Sequence, residues 1–246
     1  MLNDMNPLIT EPFHSPIPHL AEPDWNQVSR IPIKESNEPL VPLSLAPTPI
    51  KVFPAYNRQG TPGAVPDCFI REGVYRRLLA VARSLPAGYS LVILDGWRPW
   101  RVQQYLFDSL YETLHQQHPD AGETQLIAMT REFVSIASRD PESPSPHLTG
   151  GAVDVTLCDA DGLMLDMGTR FDEASPASHT DYFEQFGDSS AEQVARDRRR
   201  LLFNAMSLQG FTNLPSEWWH YDFGDQLWAS YRGEPHALYG PTEFSI

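Results

Sequence analysis

The chain has 246 residues, of which 41% are hydrophobic, 11% aromatic and 20% charged, a composition that supports a sizeable buried core and excludes wholesale disorder. Lys and Arg total 18 against 32 Asp and Glu, a formal charge of −14, which argues against nucleic acid or an anionic membrane as partner and favours a small or zwitterionic one. The two cysteines, Cys68 and Cys158, are too few for a disulfide framework and read as free thiols.

Ten of the 23 prolines fall within residues 1–50, and each fixes φ and removes a backbone donor, so an extended arm is expected there rather than regular helix or central strand. Phe13, Trp25, Ile31, Ile33, Leu40, Leu43 and Leu45 give this arm the apolar anchors to lie against a folded body formed by residues 51–246. The first twenty residues carry neither a basic nor an apolar export segment, and no run of about 18 apolar residues occurs. A cytoplasmic protein is the expectation.

Helical spacing of Val74, Leu78, Leu79, Val81, Ala82 and Leu85 predicts a helix over Phe69 to Leu85. Tyr89 to Leu94 reads as a buried strand turning at Asp95 and Gly96, and a second helix starts near Pro99 with Val102, Tyr105, Leu106, Leu110 and Leu114 inward. A third helix is predicted from Glu123 to Ala137, a loop from Asp140 to Thr149, and a strand from Gly151 to Leu157. Leu163 to Asp166 is expected to pair back as a hairpin strand, followed by a polar loop from Thr169 to Ser189. A fourth helix starts from a capping box of Ser190 and Gln193, uses Val194, Leu201, Leu202, Ala205 and Leu208 as its apolar face, and stops at Gly210. Ser216 to Phe223 forms a last aromatic strand. The sum is one α+β domain with a small, mostly antiparallel central sheet, helices packed around it and a Pro-rich N-terminal arm.

Two of the eight histidines stand in informative surroundings. His147 lies on a Pro-rigid, Gly-flanked loop that runs into a strand offering Asp154, and His220 follows Glu217-Trp-Trp. Two imidazoles and one carboxylate form a three-ligand set that leaves a fourth tetrahedral position of Zn²⁺ open, which suits a catalytic site. Glu217 supplies a second carboxylate near that position, as metal-assisted hydrolysis requires. Residues three apart on a regular strand face opposite sides, so Glu217 must sit at a strand entrance or bulge to share the site with His220; otherwise it is a solvated glutamate beside an aromatic strand. His14, His19, His115, His118 and His236 lack ligand spacing, His179 lies in a polar loop, and Arg196 with Arg198 to Arg200 reads as a solvated helix face. Zincin, serine-hydrolase and P-loop strings are absent.

Four motifs, S-x-H-x-x-G-x-A-x-D (Ser145 to Asp154), D-G-W-R-P (Asp95 to Pro99), M-G-T-R-F-D (Met167 to Asp172) and E-W-W-H-Y (Glu217 to Tyr221), occur in that set. Together they resemble the zinc D-alanyl-D-alanine dipeptidases of the vancomycin-resistance type, relatives of the zinc D,D-carboxypeptidases and of the hedgehog signalling domain. The resemblance extends over about residues 52–224 and leaves the arm unexplained. It implies His147, Asp154 and His220 as zinc ligands, Glu217 as catalytic acid and base, and Arg98 as stabiliser of the transition state. It further implies that Ser145 and Asp172 line the pocket for the substrate's free amino group, with Tyr56 and Asn57 near another pocket wall.

The function so implied is zinc-dependent hydrolysis of D-Ala-D-Ala, or of a closely related dipeptide, with a small dipeptide as substrate and neither nucleic acid nor membrane as partner. The alternatives are a D,D-carboxypeptidase or endopeptidase acting on peptidoglycan stem peptides, and a non-catalytic zinc-binding interaction domain. Glu217 and Arg98 together argue against the last. Oligomeric state is not encoded in any motif.

Overall fold

The computed structural model describes residues 13–47, 49–131 and 133–243. The N-terminal segment runs along the body, making a single helical turn, α1 (Trp25–Val28), and a short strand, β1 (Leu40–Pro42). There follow β2 (Ile50–Val52), α2 (Ala55–Arg58), β3 (Phe69–Arg71), α3 (Glu72–Ser84), β4 (Ser90–Asp95), α4 (Trp100–Gln117) and α5 (Glu123–Arg131). After a 3₁₀ turn at Pro146–Thr149 come β5 (Ala152–Cys158), α6 (Tyr182–Phe186), α7 (Ser190–Leu208), β6 (Thr212–Asn213), β7 (His220–Asp222) and α8 (Gln226–Arg232).

The central sheet has five strands in the order β2-β4-β5-β7-β6. Only the β2–β4 pair is parallel; β4–β5, β5–β7 and β6–β7 are antiparallel. The strands β4 and β5 read as near-continuous apolar runs because both faces are covered, and all seven residues of β5 are buried. One consequence decides the location of the site. In the ladder Asp95 pairs with Asp154 and Asp154 pairs with His220, so three polar side chains cross β4, β5 and β7 in one row.

Several local expectations shift. Phe69–Arg71, expected inside the first helix, is strand β3, because Leu40–Pro42 from thirty residues upstream provides an antiparallel partner that outweighs the helical pattern. The third helix ends at Arg131 rather than Ala137. Leu163 to Asp166 forms only an isolated bridge, Met164 to Cys158, instead of a hairpin strand. The stretch from Thr169 to Ser189 holds a 3₁₀ turn at Pro176–Ser178 and α6, so it is not only loop. The capping box of α7 is Ser189 with Glu192, one residue before the expected pair: the Ser189 hydroxyl accepts from Glu192 N at 3.2 Å and the Glu192 carboxylate accepts from Ser189 N at 2.8 Å. The last strand is limited to His220–Asp222, with the aromatic run before it folded into the β6–β7 turn. Tyr105 in α4, and Val194 and Leu208 in α7, are exposed rather than inward.

Two buried arginines fasten the chain around the sheet. Arg199 is fully buried, not part of a solvated basic face. Its guanidinium donates to the carbonyls of Met167, His179 and Ala177 at 2.8, 2.7 and 2.9 Å, and burial pulls its pKa down to about 9. It thereby shapes the loop that carries Asp172. Arg71 donates to the carbonyls of Thr149, Glu38 and Gly240 at 2.7, 2.7 and 3.0 Å and pairs with Glu35 at 3.1 Å. One side chain thus joins the N-terminal segment, the turn that bears His147 and the C-terminal segment. Phe13, Ile17 and Leu43 complete the attachment by entering the main core cluster.

Arg71→Ala leaves three carbonyls and the Glu35 carboxylate without their cation, and is expected to cost about 3 kcal/mol of stability. Urea unfolding followed by far-UV circular dichroism measures it; a change under about 0.5 kcal/mol, the range of an ordinary surface substitution, would show that Arg71 is not the fastening.

Candidate metal and active site

His147, Asp154 and His220 converge at the end of the β4–β5–β7 row. The D-G-W turn after β4 starts the construction. Gly96 lies so close to the Phe69 carbonyl that a Cβ would meet it at 2.5 Å, and Trp97 N donates to that same carbonyl at 2.6 Å. The turn aims the Gly96 carbonyl at His147 Nδ1, 2.7 Å away. His147 sits in the 3₁₀ turn, with Pro146 at its first position and Gly150 closing it at φ +72°.

A carbonyl can only accept, so His147 Nδ1 carries the proton and its Nε2 presents a lone pair. On the other side His220 Nε2 lies 2.9 Å from the Asp222 carboxylate, which commits the proton there and leaves the lone pair on Nδ1. These two free nitrogens are 3.2 Å apart. Asp154 Oδ1 lies 3.4 Å from His147 Nε2 and 3.3 Å from His220 Nδ1, is buried and has no hydrogen-bond partner. Burial would push the Asp154 carboxyl up, but positive charge, on the imidazoles of His147 and His220 when they are protonated and on Arg98, holds it well below the usual carboxylate range.

With both rings neutral, as metal ligation requires, three acceptors face one point, an arrangement that a cation resolves. Without one, burial works to lower the His220 pKa, but the Asp222 and Asp154 carboxylates push it well up and a proton takes that place. The edges of the triangle match one tetrahedral ion, whose ligands stand about 3.3 Å apart for bonds of about 2.0 Å. Among the described residues this is the one group of three or more His, Cys, Asp or Glu side chains able to hold a metal. Both cysteines are buried and lie outside it.

Arg98 reinforces the same carboxylate. It donates to Asp154 Oδ2 at 3.0 Å, to Asp95 at 2.7 Å, to the Gln103 amide oxygen at 2.7 Å and to the Tyr56 hydroxyl at 3.4 Å, four contacts for five N–H groups. Burial works against its charge, and the carboxylates of Asp95 and Asp154 outweigh it, so the guanidinium stays protonated. Tyr56 lies under it with the ring centroid 4.8 Å from the guanidinium carbon. Gln103 is itself held by a bond to the Ser135 carbonyl at 2.8 Å.

Glu217 occupies the β6–β7 turn, which removes the strand parity that would have placed it behind the sheet. Its carboxylate reaches to 3.9 Å from His220 Nδ1. Burial pushes its pKa up to about 8, with Asp154 and Asp172 adding to the effect and His220 and Arg98 opposing it. Asp172 enters the cleft from the loop braced by Arg199, with its backbone in the left-handed region at φ +64°. The wall behind is aromatic: Tyr56 contacts Phe171 at 5.6 Å between centroids, and Phe171 contacts Trp219 at 5.5 Å.

The structure thus brings together His147, Asp154, His220, Glu217, Arg98 and Asp172, and with them Tyr56. It leaves Ser145 out. Its hydroxyl accepts from Ser138 N at 2.8 Å and donates to the Ile136 carbonyl at 3.2 Å, pinning the loop before His147. Asn57 is exposed and donates to the Ala64 carbonyl at 3.1 Å. The sequence reading passed over Asp222 and Gln103 and took Trp25 only as an anchor of the arm, whereas it lines the cleft. The strand period did carry a signal for Asp222, two residues beyond His220 and therefore on the same face. Behind it, burial and the Asp222 charge push the Asp225 carboxyl well up, which favours a protonated form able to donate to Asp222.

A mixed sheet wrapped by helices, with a buried His-Asp-His triangle beside a carboxylate and a guanidinium, defines a metallopeptidase-like protein. The D-ala-D-ala dipeptidase profile of the M15 peptidases matches residues 66–236, and the chain belongs to that family. A D-alanyl-D-alanine dipeptidase of Synechocystis sp. is 32% identical over 242 residues, 87% of this chain and 95% of its own. The enzyme of that name from Escherichia coli is 33% identical over 150 residues, covering 59% of this chain and 63% of its own. Among solved structures, the vancomycin-resistance D,D-pentapeptidase VanY in complex with Zn(II) aligns at 18% identity with a TM-score of 0.43, over 70% of this chain and 82% of that one.

Replacing Asp222 by Asn removes the charge that fixes the His220 tautomer while keeping the shape. Metal affinity is expected to fall about 10- to 100-fold, measured by competition with a chromophoric chelator. Unchanged affinity would mean that the ring is oriented by packing alone.

Proposed function

We infer that the protein hydrolyses D-alanyl-D-alanine to free D-alanine, with zinc held by His147, Asp154 and His220. The observation that carries the zinc reading is the triangle of buried ligand atoms, in which the Asp154 oxygen has no hydrogen-bond partner. Zinc bound there supplies Lewis acidity to the scissile carbonyl and acidifies water.

The chain's own residues supply the rest. Glu217 takes a proton from the attacking water and passes it to the leaving amine nitrogen, a role supported by its place beside His220 in the cleft; a cation held there would draw its pKa, pushed up to about 8 by burial, back down toward the working range. Arg98 donates to the carbonyl oxygen as negative charge grows on it, from a guanidinium already fixed by Asp95, Asp154 and Gln103, so that little reorganisation is needed during reaction. Asp172, across the cleft, pairs with the substrate's ammonium, which gives a physical reason to require a free amino terminus. The Ser145 hydroxyl, engaged by its own loop, serves to hold His147 in place rather than to bind substrate. Asp95 keeps Arg98 in register, and the aromatic wall of Tyr56, Phe171 and Trp219 limits access of bulk water.

The direct test is amino-acid release from D-Ala-D-Ala, L-Ala-L-Ala and N-acetyl-D-Ala-D-Ala by the zinc-loaded protein, with a chelated control. Chelator-sensitive release from the free D,D-dipeptide alone is expected; release that survives metal removal would contradict the reading. Glu217→Gln is expected to lower kcat about 10²- to 10⁴-fold with zinc content unchanged, and near-normal turnover with zinc bound would remove Glu217 from the proton path. Asp172→Asn is expected to reduce the preference for the free amine over its N-acetyl form. An unaltered preference would place the ammonium elsewhere.

A further inference from the structure

The N-terminal segment, which lies outside the matched family region of residues 66–236, contributes a wall of the active-site cleft. Trp25 of α1 lines the metal cleft together with Leu214 and Glu217, and it also lines an adjoining chamber of about 270 Å³. The space beside the His147–Asp154–His220 triangle is about 40 Å³, room for roughly three waters, so a bound dipeptide must extend into the adjoining spaces. On one side a groove of about 220 Å³ shares Asp172 and Glu217 with the metal cleft. On the other lies the chamber, with Arg131 and Ser143 in its walls, and Trp25 stands where the two spaces meet.

The position of α1 is well determined. The Asp24 carboxylate caps it by accepting from Asn26 N at 3.0 Å. Val28 is buried in a cluster with Leu214 and Leu227. The flanking chain is held by bonds from Tyr231 to the Ala21 carbonyl at 2.9 Å and from Gln226 to the Ile31 carbonyl at 2.7 Å. Trp25 itself is 37% exposed, so a large rigid side chain faces the cleft from a helix that other residues anchor.

We propose that Trp25 sets the size of the leaving residue, its indole closing the metal cleft toward the chamber. The direction rests on the reading that Asp172 holds the amine: a substrate with its ammonium at Asp172 and its carbonyl at the metal directs its second residue toward Trp25. A small D-alanine fits in front of the indole, and a bulky residue meets it. Removing the indole joins the cleft to the chamber and gives the larger side chain space.

The test is kcat/KM of wild type, W25F, W25L and W25A on D-Ala-D-Ala, D-Ala-D-Phe and D-Phe-D-Ala, with thermal unfolding of each variant. The ratio of D-Ala-D-Phe to D-Ala-D-Ala is expected to rise as the side chain shrinks, about tenfold or more for W25A, while the ratio of D-Phe-D-Ala to D-Ala-D-Ala stays constant. A purely structural role would lower all three substrates in parallel, and that result overturns the proposal, as does a gain confined to D-Phe-D-Ala. Asp172→Asn separates the two assignments. If amine preference survives that change while W25A still admits D-Ala-D-Phe, the Asp172 reading fails and the Trp25 wall stands.

Discussion

The whole site depends on where two protons reside. The Gly96 carbonyl and the Asp222 carboxylate each claim an imidazole N–H, and by doing so turn the remaining nitrogens of His147 and His220 into lone pairs aimed at the same point. Asp154, whose other oxygen accepts from the Arg98 guanidinium, adds a third acceptor. In a dry interior such a cluster is unfavourable by itself, because none of its members can satisfy another. The fold sustains it through backbone geometry: the glycine turn against Phe69, the 3₁₀ turn at Pro146–Thr149 and the β5–β7 register are all fixed by contacts away from the cluster. The cost of crowding three ligand atoms into a geometry able to hold a cation is thus met by the rest of the protein.

Around this centre the charges alternate in a way that assigns work. Arg98 bridges Asp95 and Asp154 across neighbouring strands and keeps an N–H for a ligand. Glu217 and Asp172 line the same cleft, and Asp172 adds to the burial that pushes the Glu217 pKa up to about 8, a rise that a cation held beside it would oppose. A net charge of −14 coexists with a cleft that sets the Glu217 and Asp172 carboxylates and the Arg98 guanidinium around one space. Arg71 and Arg199, each spending its donors on main-chain carbonyls, hold the His147 turn and the Asp172 loop that form the two sides of that cleft.

Much of this was legible before any coordinates. The apolar runs of β4 and β5 mark the central strands, the surroundings of His147, Asp154 and His220 suggest a three-ligand set, and the role of Glu217 comes from the family resemblance. What periodicity could not express was tertiary. Phe69–Arg71 has the composition of a helix start and becomes a strand because a partner arrives from residues 40–42. Glu217 looked out of phase on a strand and is in phase because the chain turns there. Ser145 has the residue type of a pocket donor, but its hydroxyl is spent on its own loop. Arg199 resembled its solvated neighbours, since burial of a guanidinium depends on carbonyls supplied by residues 167–179, which no local pattern announces. The place of Trp25 at the cleft is of the same kind: it follows from how α1 docks on α8, not from the residues beside it.

The central claim is that the bound metal is zinc coordinated by two imidazole nitrogens and the Asp154 carboxylate. X-ray absorption at the zinc edge of the purified holoprotein tests it most directly. The account predicts a first shell of only nitrogen and oxygen at about 2.0–2.1 Å with the outer-shell scattering of two imidazoles, lost on replacing His147 or His220 by Ala. A shell containing sulfur at about 2.3 Å, or one unchanged by those replacements, would contradict it.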